Sequence, residues 1–211
     1  MILAINALAT VTAGADTAIC EGAAYLLAGV RGGSAASSVW NTPGDGTFDD
    51  TLLEAATYTP GPLDIAAGTV TLAITTNDPD GTGPCSIAFD TMVLAIDPVP
   101  IVSAGSDLSM CIGDTVTISG SGGATYQWSP TSGLEDPFAG TTNAYPGTTT
   151  AYTLSGTDAS GCTGQDALTI TVSALPSAII QEVNDTLITS QGFVYQWYLN
   201  GTLLSGETAY F

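Results

Sequence analysis

Four cysteines and twenty acidic side chains are the residues in this sequence that could do chemistry, and the groups they would need as partners are absent. There is no histidine and no lysine, and Arg31 is the single basic residue, which sets the formal net charge at −19. Without imidazole, neither a Ser–His nor a Cys–His nucleophile pair can be assembled, and zinc loses a common ligand. Without lysine there is no Schiff base. A carboxylate pair of the glycosidase kind remains formally available. The acids, however, sit in Gly44-Asp45-Gly46, Asn77-Asp78-Pro79-Asp80-Gly81 and Gly113-Asp114-Thr115, where Asp has an ordinary structural task in turns. The reading is a non-enzyme. A charge of this sign also excludes nucleic acid and anionic lipid as electrostatic partners, and its plainest role is to keep a secreted protein soluble where salt screens charge. Calcium is the alternative use of the same acids, through Asp78 and Asp80 in one turn or through Asp45 with Asp49 or Asp50. No other cofactor is expected.

The elements that must position these residues are β-strands. Of 211 residues, 45% are hydrophobic, and 25 Gly with 11 Pro divide the chain into short pieces, the pattern of strands separated by frequent turns. No apolar run approaches the roughly 18–20 residues of a membrane span. Alternation marks strands near Ala24–Ala28, Ser37–Asn41, Ala55–Thr59, Val70–Thr75 and Ile87–Ile96, then Val116–Ser119, Thr125–Trp128, Ala151–Gly156 and Ala167–Val172. Val70, Leu72 and Ile74 should share a buried face. Trp40, Trp128 and Trp197 fall on the third strand of successive units, where a Trp packs across two sheets. Tyr152 is placed for a tyrosine-corner type hydrogen bond. Val194–Leu199 followed by Asn200-Gly201 signals a hairpin.

The chain repeats itself. Met1-Ile2-Leu3-Ala4-Ile5-Asn6 returns as Met92-Val93-Leu94-Ala95-Ile96-Asp97, and the same shift carries Ala13-Gly14-Ala15-Asp16 onto Ala104-Gly105-Ser106-Asp107 and Cys20-Glu21-Gly22 onto Cys111-Ile112-Gly113. A looser copy of the boundary is Thr169–Pro176. Repetition at this period means an array of like units. The expected division is 1–8 as the last strand and linker of a preceding repeat, 9–97 and 98–174 as two immunoglobulin-like domains, and 175–211 as an incomplete third. The fold class is all-β, in tandem immunoglobulin-like β-sandwiches.

The frames "AGADTAICEG", "AGSDLSMCIGDTVTISG", "YQWSPTSGLEDP", "TDASGCTG", "AATYTPGPLDIAAGTVTLAITTNDPDG" and "YQWYLNGTLLSGET" resemble Ig-like and PKD-like repeats. Such repeats fill very large secreted surface proteins of the Bacteroidota, including gliding-type adhesins exported by the type IX system. The PKD frame "WDFGDG" is missing; Trp40 is followed by Asn-Thr-Pro and then Gly44-Asp45-Gly46. The resemblance implies an extracellular stalk or filament shaft at the cell surface. Its partners would be neighbouring repeats of the same protein, and filament self-assembly could proceed by edge-strand pairing or donor-strand exchange. It also implies O-glycosylation at Asp, then Thr, then an apolar residue, a triplet that occurs at Thr17, Thr51, Thr91, Thr115 and Thr186. Two alternatives stand beside the shaft: a calcium-dependent carbohydrate- or protein-binding module, and an accessory region of a secreted hydrolase.

The four cysteines are placed equivalently. Cys20 and Cys111 precede the second strand of their units, while Cys85 and Cys162 lie in the loop before the last. Disulfides are the default in an oxidising compartment. Pairing within units would give Cys20–Cys85 and Cys111–Cys162. Immunoglobulin-type topology puts those positions at opposite ends of a sandwich, about 20 Å or more apart along a strand, whereas a disulfide needs Cα atoms within roughly 7 Å. The preferred scheme is therefore Cys20 with Cys162 across the linker at Asp97–Ile101, with Cys85 and Cys111 pairing outside this stretch of chain.

Overall fold

The structure, a computed structural model, describes residues 7–81, 83 and 85–175, together with strand backbone at 180–183, 186–189, 198–199 and 202–203. The first unit runs through β1 (Thr10–Thr12), β2 (Thr17–Cys20), β3 (Tyr25–Leu26), β4 (Val30–Gly32), β5 (Ser38–Asn41), β6 (Thr47–Phe48), β7 (Thr57–Thr59), the helix α1 (Pro62–Ala67), β8 (Thr69–Thr76) and β9 (Phe89–Asp97). One sheet has the order β2-β9-β8-β5, a second β3-β7-β6, and β1 pairs with β4. The second unit comprises β10 (Leu108–Cys111), β11 (Val116–Ser119), β12 (Thr125–Ser129), β13 (Thr141–Ala144), β14 (Thr150–Thr157) and β15 (Thr163–Ser173), with sheets β10-β15-β14-β12 and β11-β13. In both units one pairing is parallel, β2 on β9 and β10 on β15, and the rest are antiparallel. This is the immunoglobulin-type sandwich order, and apart from α1 the described residues form strands and their connections.

Alternation builds the cores. Along β8, Val70, Leu72 and Ile74 point inward while Thr69 and Thr71 face solvent, as period-two patterning requires. They meet Trp40, Tyr58, Met92 and Leu94 in one buried cluster. Trp128, Ile118, Tyr152, Leu154, Leu168 and Ile170 form its counterpart in the second unit. Both tryptophans are buried and donate their indole N–H to a carbonyl, Trp40 to Glu54 and Trp128 to Ala139 at 3.0 Å. The polar atom therefore costs nothing inside the core. Trp197 lies outside the described residues. Tyr152 is buried as expected, but its hydroxyl donates to the Ser132 carbonyl at 2.8 Å. That acceptor lies in the β12–β13 connection, twenty residues upstream, not in the corner just before its own strand. Further on, β16 (Ile180–Val183) pairs with β17 (Thr186–Thr189) and β18 (Tyr198–Leu199) with β19 (Thr202–Leu203). Leu199 pairs with Thr202, while Asn200-Gly201, on which the hairpin signal rests, lies outside the described residues.

The helix α1 was not expected from patterning, because six residues are too few to show a helical period. Pro62 suits its first turn, and its N-terminus is capped from a distance. Asp45, in the loop after β5, accepts N–H bonds from Leu63 and Asp64 at 3.1 Å. Asp64 in turn is buried and accepts from the amides of Gly46 and Gly61 and from the Tyr58 hydroxyl. Burial alone would raise the Asp64 pKa. The hydrogen bonds from Tyr58, Gly61 and Gly46 outweigh it and hold the carboxyl below its ordinary value. Burial and the same carboxylate push Tyr58 up to about 12.

Two predictions follow from these cores. Trp128→Ala should destabilise the second unit by about 3–5 kcal/mol, read as a lowered urea midpoint at unchanged slope. For the Asp64–Tyr58 pair the pH limbs are set by the signs of the two shifts. Asp64 contributes stability that is present above the unfolded carboxyl value of roughly 4 and lost as pH falls below it. Tyr58 contributes stability that is complete below the unfolded phenol value of roughly 10 and lost as pH rises toward 12. Tyr58→Phe should flatten the alkaline limb of a pH–melting profile; an unchanged limb would show that the buried pair does not set it.

Candidate functional site at the module junction

The chain leaves the first unit at the end of β9 and enters the second through residues 98–101. Parallel pairing decides what stands beside that exit. Since β2 runs alongside β9 in the same direction, the two end together: Cys20 is the register partner of Asp97, and Glu21 N–H donates to the Asp97 carbonyl at 2.8 Å. Cys20 therefore closes a strand of its own, where a turn was expected, and sits beside the linker.

A repeated device holds β2 in place. Ala13 is buried and its N–H donates to Asp90 of β9 at 2.9 Å, while Asp16 accepts from Val93 N–H of β9 at 2.8 Å. Between them Gly14 takes a φ of 99°, a left-handed value that favours glycine, and swings the chain from β1 toward β2. The second unit repeats every part: Ala104 N–H to Asp166 at 2.8 Å, Thr169 N–H to Asp107 at 2.7 Å, and Gly105 at φ 88°. The recurring Ala-Gly-x-Asp of the sequence is thus a reciprocal clamp between the last strand of each unit and the segment leading into the strand parallel to it. The amides of Ala104 and Ala167 hold the Asp166 carboxyl below its ordinary range.

The other side of the junction is the β14–β15 loop. Asp158 accepts the N–H groups of Ser160 and Cys162, each at 2.9 Å, and the loop closes with Asp158 N–H on the Cys162 carbonyl. The linker is tightly seated on this end of the second unit. A side chain at Gly122, after β11, would strike the Ile101 carbonyl, and one at Gly164 would strike that of Pro100. Cys20 and Cys162 meet across the linker in a disulfide with Cα atoms 5.5 Å apart, 142 residues apart in sequence. Cys162 is buried. The inter-unit pairing is formed, and the intra-unit scheme Cys20–Cys85 with Cys111–Cys162 is not. Cys85 and Cys111 are free among the described residues, both half-buried.

The remaining candidate residues do not converge. Asp78 Oδ1 accepts from Asp80 and Gly81 N–H, and Asp80 accepts from Cys85 N–H at 3.1 Å. Asp45 caps α1, and Asp49 accepts from Asp50 and Thr57 N–H at 2.7 Å. The amides of Thr57 and Asp50 hold the Asp49 carboxyl low. Each of these four carboxylates is turned onto backbone donors, and no group of three or more acid or cysteine side chains is poised for a metal among the described residues. Of the glycosylation candidates, Thr51, Thr91 and Thr115 are exposed and Thr17 is half-buried; the side chain of Thr186 lies outside the described residues. Asp16 and Asp90, which head two of the triplets, belong to the clamp. The lone cation, Arg31, pairs with Glu54 at 3.0 Å.

No family model matches this sequence, and no curated protein does. Among solved structures, the chain is similar to the tandem Ig repeats of Dlar (12% identity, TM-score 0.30, covering 76% of this chain and 95% of that one). It is similar also to the insect immune protein hemolin (11%, TM-score 0.39, covering 77% and 46%) and to the I9–I11 tandem of titin (11%, TM-score 0.37, covering 79% and 66%). All three are loose overlaps with other tandem-domain proteins. The fold assignment rests on the strand order.

The clamp yields a local prediction. Asp107→Ala should leave Thr169 N–H without its acceptor and free the start of β10, so that hydrogen exchange at Thr169 and along β10 rises by roughly tenfold or more. Equal exchange in variant and parent would show that the strand pairing needs no carboxylate.

Proposed function

We propose that this chain is a non-catalytic, load-bearing spacer: part of the stalk or filament shaft of a large secreted bacterial cell-surface protein. The observation that carries the reading is the Cys20–Cys162 disulfide, which joins two successive sandwiches across a short linker. A disulfide in this position belongs to an oxidising compartment, and it restrains the hinge that so short a linker, residues 98–101, would otherwise leave. The absence of histidine and lysine from the sequence removes the usual nucleophile and base pairs. A net charge of −19 suits a solvated surface that repels its own kind. The resemblance to Bacteroidota repeats supplies the cell-surface setting, and adhesion would reside in contacts made along or beyond such a shaft.

The bond also redirects force. Pulled from its two ends, the chain carries tension up to Cys20, across the sulfur atoms and on from Cys162, so β3 to β14 lie inside a covalent loop. Single-molecule stretching should therefore show the residues between 20 and 162 shielded until reductant is added. Reduction should then release about 470–510 Å of further contour, at roughly 3.3–3.6 Å per residue. The same release in oxidised and reduced protein would sink the load-bearing reading.

A further inference from the structure

The junction is made of two half-sites, and the chain carries a second copy of each. At Cys111 the backbone repeats that at Cys20. Cys111 ends β10 in register with Ser173 at the end of β15, and Ile112 N–H donates to the Ser173 carbonyl at 2.9 Å, as Glu21 does to Asp97. The turn that follows is closed in both by a bond to the cysteine carbonyl, from Ala23 N–H at 3.0 Å and from Asp114 N–H at 3.1 Å. Both cysteines follow the same Ala-Gly-x-Asp clamp. At Cys85 the presentation repeats that at Cys162: each lies between the last two strands of its unit with its N–H on the carboxylate of an earlier Asp, Asp80 or Asp158. The seat for an incoming linker is repeated too. A side chain at Gly33, after β4, would strike the Leu8 carbonyl, as one at Gly122 would strike that of Ile101.

What differs, among the described residues, is occupancy. Cys20 has the loop of a neighbouring unit against it and Cys162 is buried there. Cys111 instead lines an open groove with Ser109, Met110, Asp114 and Ser173. We infer that Cys111 and Cys85 are halves of two more junctions of this design. Cys111 bonds the cysteine before the last strand of a like module seated beyond the second unit. Cys85 bonds the cysteine that ends the strand parallel to the last strand in a like module seated before the first. The occupant is in each case a sandwich of this same fold presenting the complementary half, because the two halves already found together show what fits. The inference rests on the spacer reading and extends it from one junction to a polar, covalently continuous array.

Each bond forms by oxidation of two thiols. Two protons and two electrons leave, and a small-molecule disulfide of the glutathione class takes them up and departs as two thiols. Burial and the neighbouring Asp80 and Asp78 carboxylates raise the Cys85 thiol above its ordinary value, so its bond should form faster as pH rises through the alkaline range.

The test is disulfide mapping of the protein from its native source, alkylated under denaturing conditions before digestion without reduction. The expected result is that Cys85 and Cys111 both escape alkylation. Cys111 should be joined to a cysteine preceded by Asp four or five residues earlier, and Cys85 to one in a Cys-x-Gly frame; a bond from Cys85 of one copy to Cys111 of another also satisfies the pairing. Alkylated Cys85 or Cys111, symmetric Cys85–Cys85 or Cys111–Cys111 bonds, or a Cys20–Cys85 bond would overturn it. The Cys20–Cys162 peptide in the same digest separates the two levels of failure. If it is present beside alkylated Cys85 and Cys111, only the array inference falls; if it is absent, the spacer reading falls with it.

Discussion

Everything at the junction depends on one parallel pairing. A strand that ran antiparallel to β9 would end at the far side of the sandwich from the exit of the chain. Running parallel, β2 ends where β9 ends, and whatever residue stands there is delivered to the linker. The pairing is short, four residues in each unit, and could not be expected to hold by ladder hydrogen bonds alone. Of the two carboxylates of the clamp, the one on β9 or β15 accepts an amide from the segment leading into β2 or β10, and the one just before β2 or β10 accepts an amide of β9 or β15. Charge-assisted bonds of this kind are stronger than neutral ones, and they fix the register on which the position of Cys20 depends.

The cores provide the rigidity that makes this placement matter. Trp40 stacks on Phe48 with ring centroids 6.4 Å apart, and Phe48 meets Tyr58 in a tilted contact at 4.9 Å. Aromatic contact thereby runs from β5 in one sheet to β6 and β7 in the other. Tyr58 continues outward to Asp64, and Asp64 shares α1 with the cap that Asp45 provides. A path of packed and hydrogen-bonded groups thus leads from the centre of the first sandwich to α1, whose end lies with Ile96, Pro98 and Glu21 around one shallow pocket beside the linker. The second unit does with less: it lacks the helix, and Tyr152 reaches directly to Ser132.

Much of this was legible in the sequence, and the reason differs from element to element. The long inner strands were found by alternation because each has three or more buried side chains at period two. The Trp positions follow from the same patterning. The staple could be read from topology, since it required only knowing which ends of a sandwich the cysteines occupy. By contrast β1, β2, β6, β10 and β13 are two to four residues long, too short to show a period, and exist because a neighbour pairs with them. Of the strand expected at Ala24–Ala28 only β3 (Tyr25–Leu26) forms, and β4 begins beyond it at Val30, with Leu27 and Gly29 keeping backbone bonds to Ala56 and Glu54 between the two. The helix α1 depends on a cap from Asp45, eighteen residues before Leu63, which no local pattern reveals. The clamp was visible as a repeat, but its meaning needed the partners Asp90 and Asp166.

The ion pair between Arg31 and Glu54 has a bearing on resistance to proteolysis. Proteases of the trypsin type cut after lysine or arginine, and this sequence offers them one such bond, that between Arg31 and Gly32. The bond lies within β4, where Arg31 is paired with Val11 of β1 and its guanidinium is engaged by Glu54. Cleavage needs an extended, unpaired segment that can enter the enzyme, so the single susceptible site is withheld as long as β1 stays docked. A surface almost without basic residues is thus also a surface almost without digestion sites for an entire class of enzymes.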